Sequence, residues 1–305
     1  MPNKRSANKK PQAFHSGFVA IVGRPNVGKS TLLNQLVGQK VAITSEKAQT
    51  TRHTIHGVVT TDEAQVVFVD TPGIHKPLHL LGEQIVKAAT DTLGDVDLRV
   101  LVVDAQEPAG KGDQFIAELL KRSPKPTILV LNKVDRVKQV PEEIFASYKA
   151  LYPFDAVVPL SARTGRNTKA LVAQLAKRLP EGPRYYEEDV PTDQTLRQLA
   201  GELVREQVLR QTSEEIPHSV AVRIDTFDES VHPIHIAATI FVERDSQKGI
   251  LIGEKGAMLK AIGTAARHAI EKQTGEPVFL ELWVKVLKNW RKEKAALKRL
   301  GYVTD

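Results

Sequence analysis

Short apolar runs and helical stripes alternate along the first part of this chain. Residues 18–22 form a β-branched run typical of a buried strand, and residues 31–37 carry leucines at helical spacing. Further strands are predicted over 55–60, 65–69, 98–103, 127–131 and 156–160, and helices over 113–120, 142–151 and 168–179. This alternation predicts an α/β domain with a mainly parallel sheet, helices on both faces, and ligands at the carboxyl ends of the strands.

A different pattern follows residues 180–192, which hold three prolines, a glycine and clustered charge, as is typical of a domain boundary. The elements predicted beyond it are a helix over 194–211, strands over 219–226 and 234–242, a helical segment interrupted after residue 252, a helix over 265–272, a strand over 278–286 and a basic amphipathic helix over 289–300. We therefore predict a basic disordered tail (1–15), an α/β domain (16–180), a linker (181–192) and an α+β domain (193–305).

Composition and charge narrow the class of protein. The 305 residues contain no cysteine, which excludes disulfides and cysteine-ligated zinc and fits a reducing cytoplasm. No apolar run approaches the ~20 residues needed to span a bilayer. The net charge of +7 is concentrated at the two ends: residues 1–15 hold four Lys/Arg and no acid, and residues 244–305 hold thirteen against seven. A polyanion is expected to meet these regions first.

An eight-residue motif after the first strand indicates a phosphate-binding loop (P-loop). It reads Gly23, Arg24, Pro25, Asn26, Val27, Gly28, Lys29 and Ser30, which fits GxxxxGK followed by Ser. Its two glycines let successive backbone N–H groups approach a phosphate. Lys29 can reach the β- and γ-phosphates, and the Ser30 hydroxyl can ligate Mg²⁺.

Asp70, Thr71, Pro72 and Gly73 follow the third predicted strand. Asp70 is expected to lie on the Mg²⁺ side of a nucleotide, and the Gly73 N–H can approach a γ-phosphate closely. By itself this tetrapeptide could be an ordinary turn, but its place downstream of a P-loop and directly after a strand favours a functional role.

Two more strand ends predict the choice of base. Asn132, Lys133 and Asp135 form an NKxD motif. An ionised Asp135 can accept hydrogen bonds from both N1–H and the exocyclic amine of guanine, whereas adenine would present an acceptor there. Lys133 is expected along the base plane, and Asn132 can join this loop to the P-loop. The sixth strand ends in Ser161, Ala162 and Arg163, where a backbone N–H could reach the guanine carbonyl. The predicted ligand is GTP, or GDP, and not ATP.

The second domain carries a GxxG loop between two helical segments flanked by strands, which resembles a KH domain of the type with an extra N-terminal helix and strand. Its glycines let the backbone approach a nucleic-acid phosphate, its lysine projects charge, and the isoleucines before it could line a groove under unstacked bases. The alternative is a helix–turn–helix packing corner. The candidate RNA-binding residues are Ile250, Ile252, Gly253, Glu254, Lys255 and Gly256.

The four nucleotide motifs in this order resemble a Ras-like GTPase of the translation-factor class, and GRPNVGKS with QTTRH is similar to the bacterial Era family. The resemblance implies a first switch over 44–54, in which Thr51 closes over Mg²⁺ and the γ-phosphate, and a second switch over 70–81. Thr50 remains the alternative to Thr51. The candidate metal ligands are Ser30, Thr51 and Asp70, and the candidate catalytic residues are Asn26, Lys29, Thr51 and Gly73.

The residue after Gly73 is Ile74, where a Ras-type enzyme has a glutamine that orients the attacking water. Because isoleucine cannot hydrogen-bond water, intrinsic hydrolysis is expected to be slow. The resemblance to related GTPases implies that Asn26 helps to hold a potassium ion beside the phosphates. The alternative is that Asn26 only caps the loop.

The family resemblance further implies a switch whose GTP-loaded form binds single-stranded RNA at the 3′ end of small-subunit ribosomal RNA and assists assembly of the small ribosomal subunit. We expect a cytoplasmic monomer without a stable protein partner, with peripheral association with the inner face of the cell membrane. A second hypothesis is a GTP-dependent membrane-associated adaptor whose second domain binds lipid or protein.

Overall fold

The structure, a computed structural model, describes residues 13–45, 47, 50–74, 80–213 and 216–302. The first sheet and its helices comprise β1 (His15–Val22), α1 (Lys29–Val37), β2 (Ile55–Thr60), β3 (Ala64–Asp70), α2 (Leu80–Asp95), β4 (Leu98–Asp104), α3 (Lys111–Lys121), β5 (Thr127–Asn132), α4 (Glu142–Lys149), β6 (Ala156–Pro159) and α5 (Thr168–Ala176). The second sheet and its helices comprise α6 (Leu196–Gln211), α7 (Ile216–Ser219), β7 (Ala221–Asp228), β8 (Ile234–Val242), α8 (Asp245–Ile252), α9 (Ala257–Thr274), β9 (Val278–Val286) and α10 (Lys294–Arg299).

The six-stranded sheet has the order β2-β3-β1-β4-β5-β6, and only β2 runs antiparallel to its neighbour. Two apolar clusters cover its faces: Val19 and Ile21 point into one, and Ala20 and Val22 into the other. The predicted mainly parallel sheet with helices on both faces is confirmed. Ile21 is paired with Asp70, so the carboxyl ends of β1 and β3 meet at one edge.

Helix α2 was not predicted from the sequence. Its buried residues Leu81, Ile85, Ala89 and Leu93 recur every fourth position, which is a helical signal. Glycines and threonines dilute that stripe, and its first turn overlaps the expected second switch. Of that switch, residues 75–79 lie outside the described residues.

The second sheet has the order β7-β8-β9, with β7 antiparallel and β9 parallel to β8. Helices α6, α8 and α9 pack on one face around an apolar cluster that includes Leu203, Ile240 and Ile262. This is the α+β arrangement predicted for a KH domain with an extra N-terminal helix and strand. The helix predicted over 265–272 is part of the longer α9.

The prediction of one amphipathic helix over 289–300 is wrong. A 3-10 turn, Trp290–Lys292, is separated from α10 by Glu293, whose backbone is extended. The helix is interrupted there because Trp290 is fully buried and its indole N–H donates to the Ser219 carbonyl at 2.9 Å. Trp290 and Leu297 share an apolar cluster with Leu81 of α2. The apolar side of this segment therefore faces the protein.

The segment between α1 and β2 packs against the second sheet's helices. Ile43 belongs to the second domain's apolar cluster. The Arg52 guanidinium donates to the carbonyls of Val220 at 2.6 Å and Pro217 at 3.2 Å. Arg205 of α6 donates to the Thr50 carbonyl. Within the described residues, no helix is long and apolar enough to cross a bilayer.

Candidate nucleotide and RNA sites

The P-loop turns between β1 and α1 through two backbone conformations that favour glycine. Gly23 has φ +153° and Gly28 has φ +100°. A Cβ on Gly28 would lie 2.4 Å from Nδ2 of Asn132, and one on Gly23 would lie 2.3 Å from the Val102 carbonyl oxygen. Helix α1 begins at Lys29 directly after this turn, so its first N–H groups form an anion site at a helix N-terminus.

Ser30, Thr51 and Asp70 converge beside the start of α1. The Ser30 hydroxyl donates to Oδ2 of Asp70 at 2.9 Å and lies 2.9 Å from the Thr51 hydroxyl. The Thr51 hydroxyl also lies 3.3 Å from Oδ2. The Thr50 hydroxyl instead donates to the carbonyl of Lys47 at 2.7 Å. The structure thus brings together three of the oxygens predicted to ligate a metal.

A buried, unpartnered acceptor shows that this cluster fits Mg²⁺. Oδ1 of Asp70 is buried and has no hydrogen-bond partner within the described part of the chain. Carboxylate and hydroxyl oxygens are the donors that Mg²⁺ takes, and the ion would neutralise phosphate charge there. Burial raises the pKa of Asp70 to about 6 and lowers the pKa of Lys29 to about 8. Loss of hydration is the main cause of both shifts, and the opposite charge of each group partly offsets the shift of the other.

The Lys29 side chain folds back onto the P-loop. Its Nζ donates to the carbonyls of Gly23 and Arg24, both at 3.0 Å. Arg24 turns outward, and its guanidinium pairs with Asp113 at 3.0 Å and Glu107 at 3.1 Å. The Lys29 side chain therefore stays beside the loop. The Arg24 side chain points away, so that Arg24 can offer a ligand only its main chain.

The residues after β3 pack closely on the P-loop. The Thr71 hydroxyl donates to the Ile21 carbonyl at 2.9 Å, which occupies it within the sheet. A Cβ on Gly73 would lie 3.1 Å from the backbone nitrogen of Pro25. Pro72 and Ile74 are buried, Ile74 within the apolar core. The side chain of Ile74 therefore belongs to the core.

The loop after β5 is bonded to both neighbouring loops. Nδ2 of Asn132 donates to the Val27 carbonyl at 2.8 Å, and its Oδ1 accepts from the Ala162 N–H at 2.9 Å. Lys133 has φ +67° and pairs with Asp104 at 2.7 Å. One side chain thus positions the P-loop and the loop after β6 together.

Asp135 is held as an ionised acceptor. Its Oδ1 accepts from the Ser161 hydroxyl at 2.6 Å, and its Oδ2 lies 3.5 Å from the mostly exposed Arg163. The hydrogen bond from Ser161 is the main cause that keeps the pKa of Asp135 below its usual value. An acceptor-only carboxylate is what two adjacent guanine donors require.

A cavity of about 690 Å³ lies between the P-loop, the segment before β2, the loop after β5 and the end of α6. Among the predicted site residues, Asp70, Asn132, Asp135 and residues 161–163 do not line it. Its lining includes Asn26, at φ +66°, together with Lys29, Ser30, Thr51, Gly73 and Lys133. Five lining residues were missed from the sequence, namely Thr31, Ile43, Arg136 and two residues of α6, Leu209 and Arg210. No motif identifies the α6 residues, because their proximity depends on how the two domains dock.

The GxxG loop has a sharply turned backbone. Gly253, Lys255 and Gly256 have φ of +70°, +49° and +81°. A Cβ on Gly253 would lie 2.8 Å from Cβ of Met258, but one on Gly256 would meet nothing within 4 Å. Packing therefore requires the first glycine, while the second leaves open space.

The side chains around this loop differ in exposure. Ile250 is 53% exposed, Glu254 and Lys255 are exposed, and Ile252 packs partly against the second domain's core. Ile250 and Lys255 are therefore accessible to a ligand beside the open space at Gly256.

Comparison with known proteins agrees with this geometry. The model of the 50S ribosome-binding GTPase family matches residues 18–133, and that of the KH domain matches residues 215–291. The chain is similar to a variant Era of Aquifex aeolicus bound to GDP·AlF4−, with 42% identity over 95% of this chain and 100% of that one and a TM-score of 0.91. It is also similar to Era in complex with MgGDPNP and nucleotides 1506–1542 of 16S ribosomal RNA, with 41% identity, the same coverage and a TM-score of 0.91.

The fold and the nucleotide site define a P-loop GTPase followed by a KH domain. The chain belongs to the Era family.

Replacing Asp70 by Asn should alter how stability depends on pH. Because the pKa of the folded state is raised from 3.8 to about 6, this carboxyl's stabilising contribution is complete below pH 3.8 and is lost as pH rises through about 6. Nucleotide-free, EDTA-treated wild type should lose about 3 kcal/mol relative to Asp70→Asn across that window. Urea unfolding followed by circular dichroism measures this difference.

The control is Asp62→Asn, the same exchange in the exposed turn between β2 and β3. Parallel pH profiles for wild type and Asp70→Asn would contradict the raised pKa of Asp70.

Proposed function

We propose that this chain is a GTP-hydrolysing switch that binds the 3′ end of small-subunit ribosomal RNA and assists assembly of the small ribosomal subunit. The observation that carries the proposal is the convergence of the P-loop, Thr51 and the loop after β5 on one cavity, with Asp70 bonded to Ser30 of its wall. Thr50 and Thr51 line that cavity, and Thr50 and the adjacent Arg52 are bonded to the domain with the GxxG loop. The family relative that binds 16S ribosomal RNA nucleotides supports the RNA partner.

In this proposal the P-loop N–H groups and Lys29 hold the phosphates of GTP. Ser30, Thr51 and Asp70 hold Mg²⁺, and Thr51 is preferred to Thr50 because only its hydroxyl lies beside Asp70. The Gly73 N–H faces the γ-phosphate. These roles use charge and backbone donors already positioned by the fold.

Asp135 selects guanine, with Lys133 along the base and the backbone of residues 161–163 near the guanine carbonyl. Since Asn132 bonds the loops on both sides, the base and phosphate subsites keep a fixed spacing.

Replacing Asp135 by Asn should exchange the base preference. Asn offers one donor and one acceptor, which suits xanthine, with its oxygen at C2, and leaves a guanine amine facing an N–H. GDP affinity should fall by about 100-fold, because hydrogen bonds to a charged acceptor contribute ~1.5–3 kcal/mol each. Titrations with fluorescent GDP and XDP measure both changes, and unaltered GDP affinity would contradict this role.

We propose slow intrinsic hydrolysis assisted by a monovalent cation. Ile74 is buried and cannot position water, while Asn26 lines the cavity at its phosphate end beside Lys29. Potassium held by Asn26 would add positive charge where negative charge develops on the phosphate oxygens in the transition state.

GTP hydrolysis should then be faster in potassium than in sodium at equal ionic strength, by about tenfold for ~1.4 kcal/mol of differential stabilisation. Phosphate release under single-turnover conditions is the measurement, and Asn26→Ala should remove the difference. Equal rates in the two salts would exclude the cation.

For RNA we propose the GxxG surface, with Ile250, Ile252, Gly253, Glu254, Lys255 and Gly256 as its centre. The open space at Gly256 permits close approach of a phosphate, and the exposed Lys255 supplies charge. The rival membrane adaptor is less favoured, since the apolar side of residues 290–300 is buried. We accordingly propose a cytoplasmic protein that acts as a monomer.

A charge at Gly256 should weaken RNA binding. Asp and Asn both tolerate positive φ and are isosteric, so Gly256→Asp and Gly256→Asn differ only in the carboxylate that repels phosphate. The Asp variant should bind single-stranded RNA of the small-subunit 3′ end at least about tenfold more weakly than the Asn variant. Crosslinking with a GTP analogue and with GDP measures this loss.

Gly275→Asp is the matched control, because Gly275 has φ +74° and equally open surroundings at the end of α9. Equal crosslinking by Gly256→Asp and Gly275→Asp would remove the GxxG loop from the RNA site.

A further inference from the structure

Helix α6 of the KH domain reaches the nucleotide cavity. Leu209 and Arg210, in its last turn, line the cavity together with residues of the P-loop and of the segment that precedes β2. The cavity thus has walls from both domains, and the second domain contributes a cation.

Arg210 is held near the cavity by a buried carboxylate that other groups share. Its Nη2 lies 2.9 Å from Oε1 of Glu206, whose side chain is 0% exposed. Glu206 also pairs with Lys40 at 2.5 Å and accepts from the Thr44 N–H at 3.0 Å. Two cations share one carboxylate, so this cluster keeps a net positive charge.

The Arg210 side chain is half exposed, at 50%, and has a flexible stem. It can therefore turn from Glu206 toward a ligand in the cavity without moving α6.

The described lining of the cavity suits an anion. It contains Lys29, Lys47, Lys133 and Arg136 besides Arg210, and it contains no carboxylate residue. The charge of Lys133 is partly matched by Asp104. Each further cation on the cavity wall therefore strengthens the electrostatic attraction for a nucleotide polyphosphate.

We infer that Arg210 is a nucleotide-binding residue contributed by the KH domain, and that its guanidinium contacts the phosphates of bound GDP or GTP. This inference rests on the proposed nucleotide site. It makes nucleotide affinity depend on the docking of α6 against the GTPase domain. By linkage, bound nucleotide strengthens that docking to the same extent.

The test is nucleotide affinity of the full-length protein carrying Arg210→Gln, measured with fluorescent GDP and GTP at low and high salt. Affinity should fall by about fivefold at low salt, and the loss should shrink toward zero at ~0.5 M salt, where charges are screened. Arg210→Lys, which keeps the charge, should stay within about twofold of wild type.

Arg267→Gln is the matched control. Arg267 is also a partly exposed helical arginine of the KH domain, paired with a glutamate four residues away, and it lies on α9. Its loss should leave nucleotide affinity unchanged.

Wild-type affinity in Arg210→Gln would overturn the inference. So would a loss that is the same at both salt concentrations, because that would mean Arg210 only shapes the end of α6. A wild-type protein that binds no guanine nucleotide would instead refute the proposed function.

Discussion

The structure depends on one short stretch of chain, residues 50–52, that is bonded to the nucleotide site on one side and to the KH domain on the other. The Thr51 hydroxyl lies beside Ser30 and Asp70 in the nucleotide site. Its neighbours face the other domain: the Thr50 carbonyl accepts from Arg205, and Arg52 donates to carbonyls of the KH domain. Thr51, whose hydroxyl is a candidate metal ligand, therefore lies on the backbone between the two residues, Thr50 and Arg52, that are bonded to the second domain.

The bonds of Arg52 and Arg205 are buried, so their energy depends strongly on the position of residues 50–52. Arg52 and Arg205 are almost fully buried, and Glu202 is the carboxylate that pairs with Arg205 at 2.5 Å. One nitrogen of each guanidinium has no partner within the described residues. Because a buried charge that loses its partner is strongly destabilising, a shift of this stretch has a steep energetic cost, and the two domains should respond to it as a unit.

Local patterns predicted most of this architecture, and long-range contacts account for what they missed. The P-loop, Asp70 and the NKxD loop are short motifs at strand ends, and a parallel sheet brings strand ends together whatever the helices do. The C-terminal helix was wrong because burial of Trp290 against Ser219 overrides an amphipathic pattern. Arg210 could not be found, because its approach to the P-loop depends on the docking of α6 and not on any nearby residue.

Helix α6 provides a second connection between the domains that does not pass through Thr51. Glu206 accepts from Thr44 at the start of the first switch, and Arg205 from the same helix donates to Thr50 further along it. Helix α6 is therefore bonded to the first switch at two points, and its last turn lines the cavity. In the proposed mechanism, loss of the γ-phosphate on hydrolysis would remove the contact that keeps Thr51 closed, whereas Arg210 would still face the remaining phosphates. Release of the switch and release of α6 can then be separate events, with product departure needed for the second.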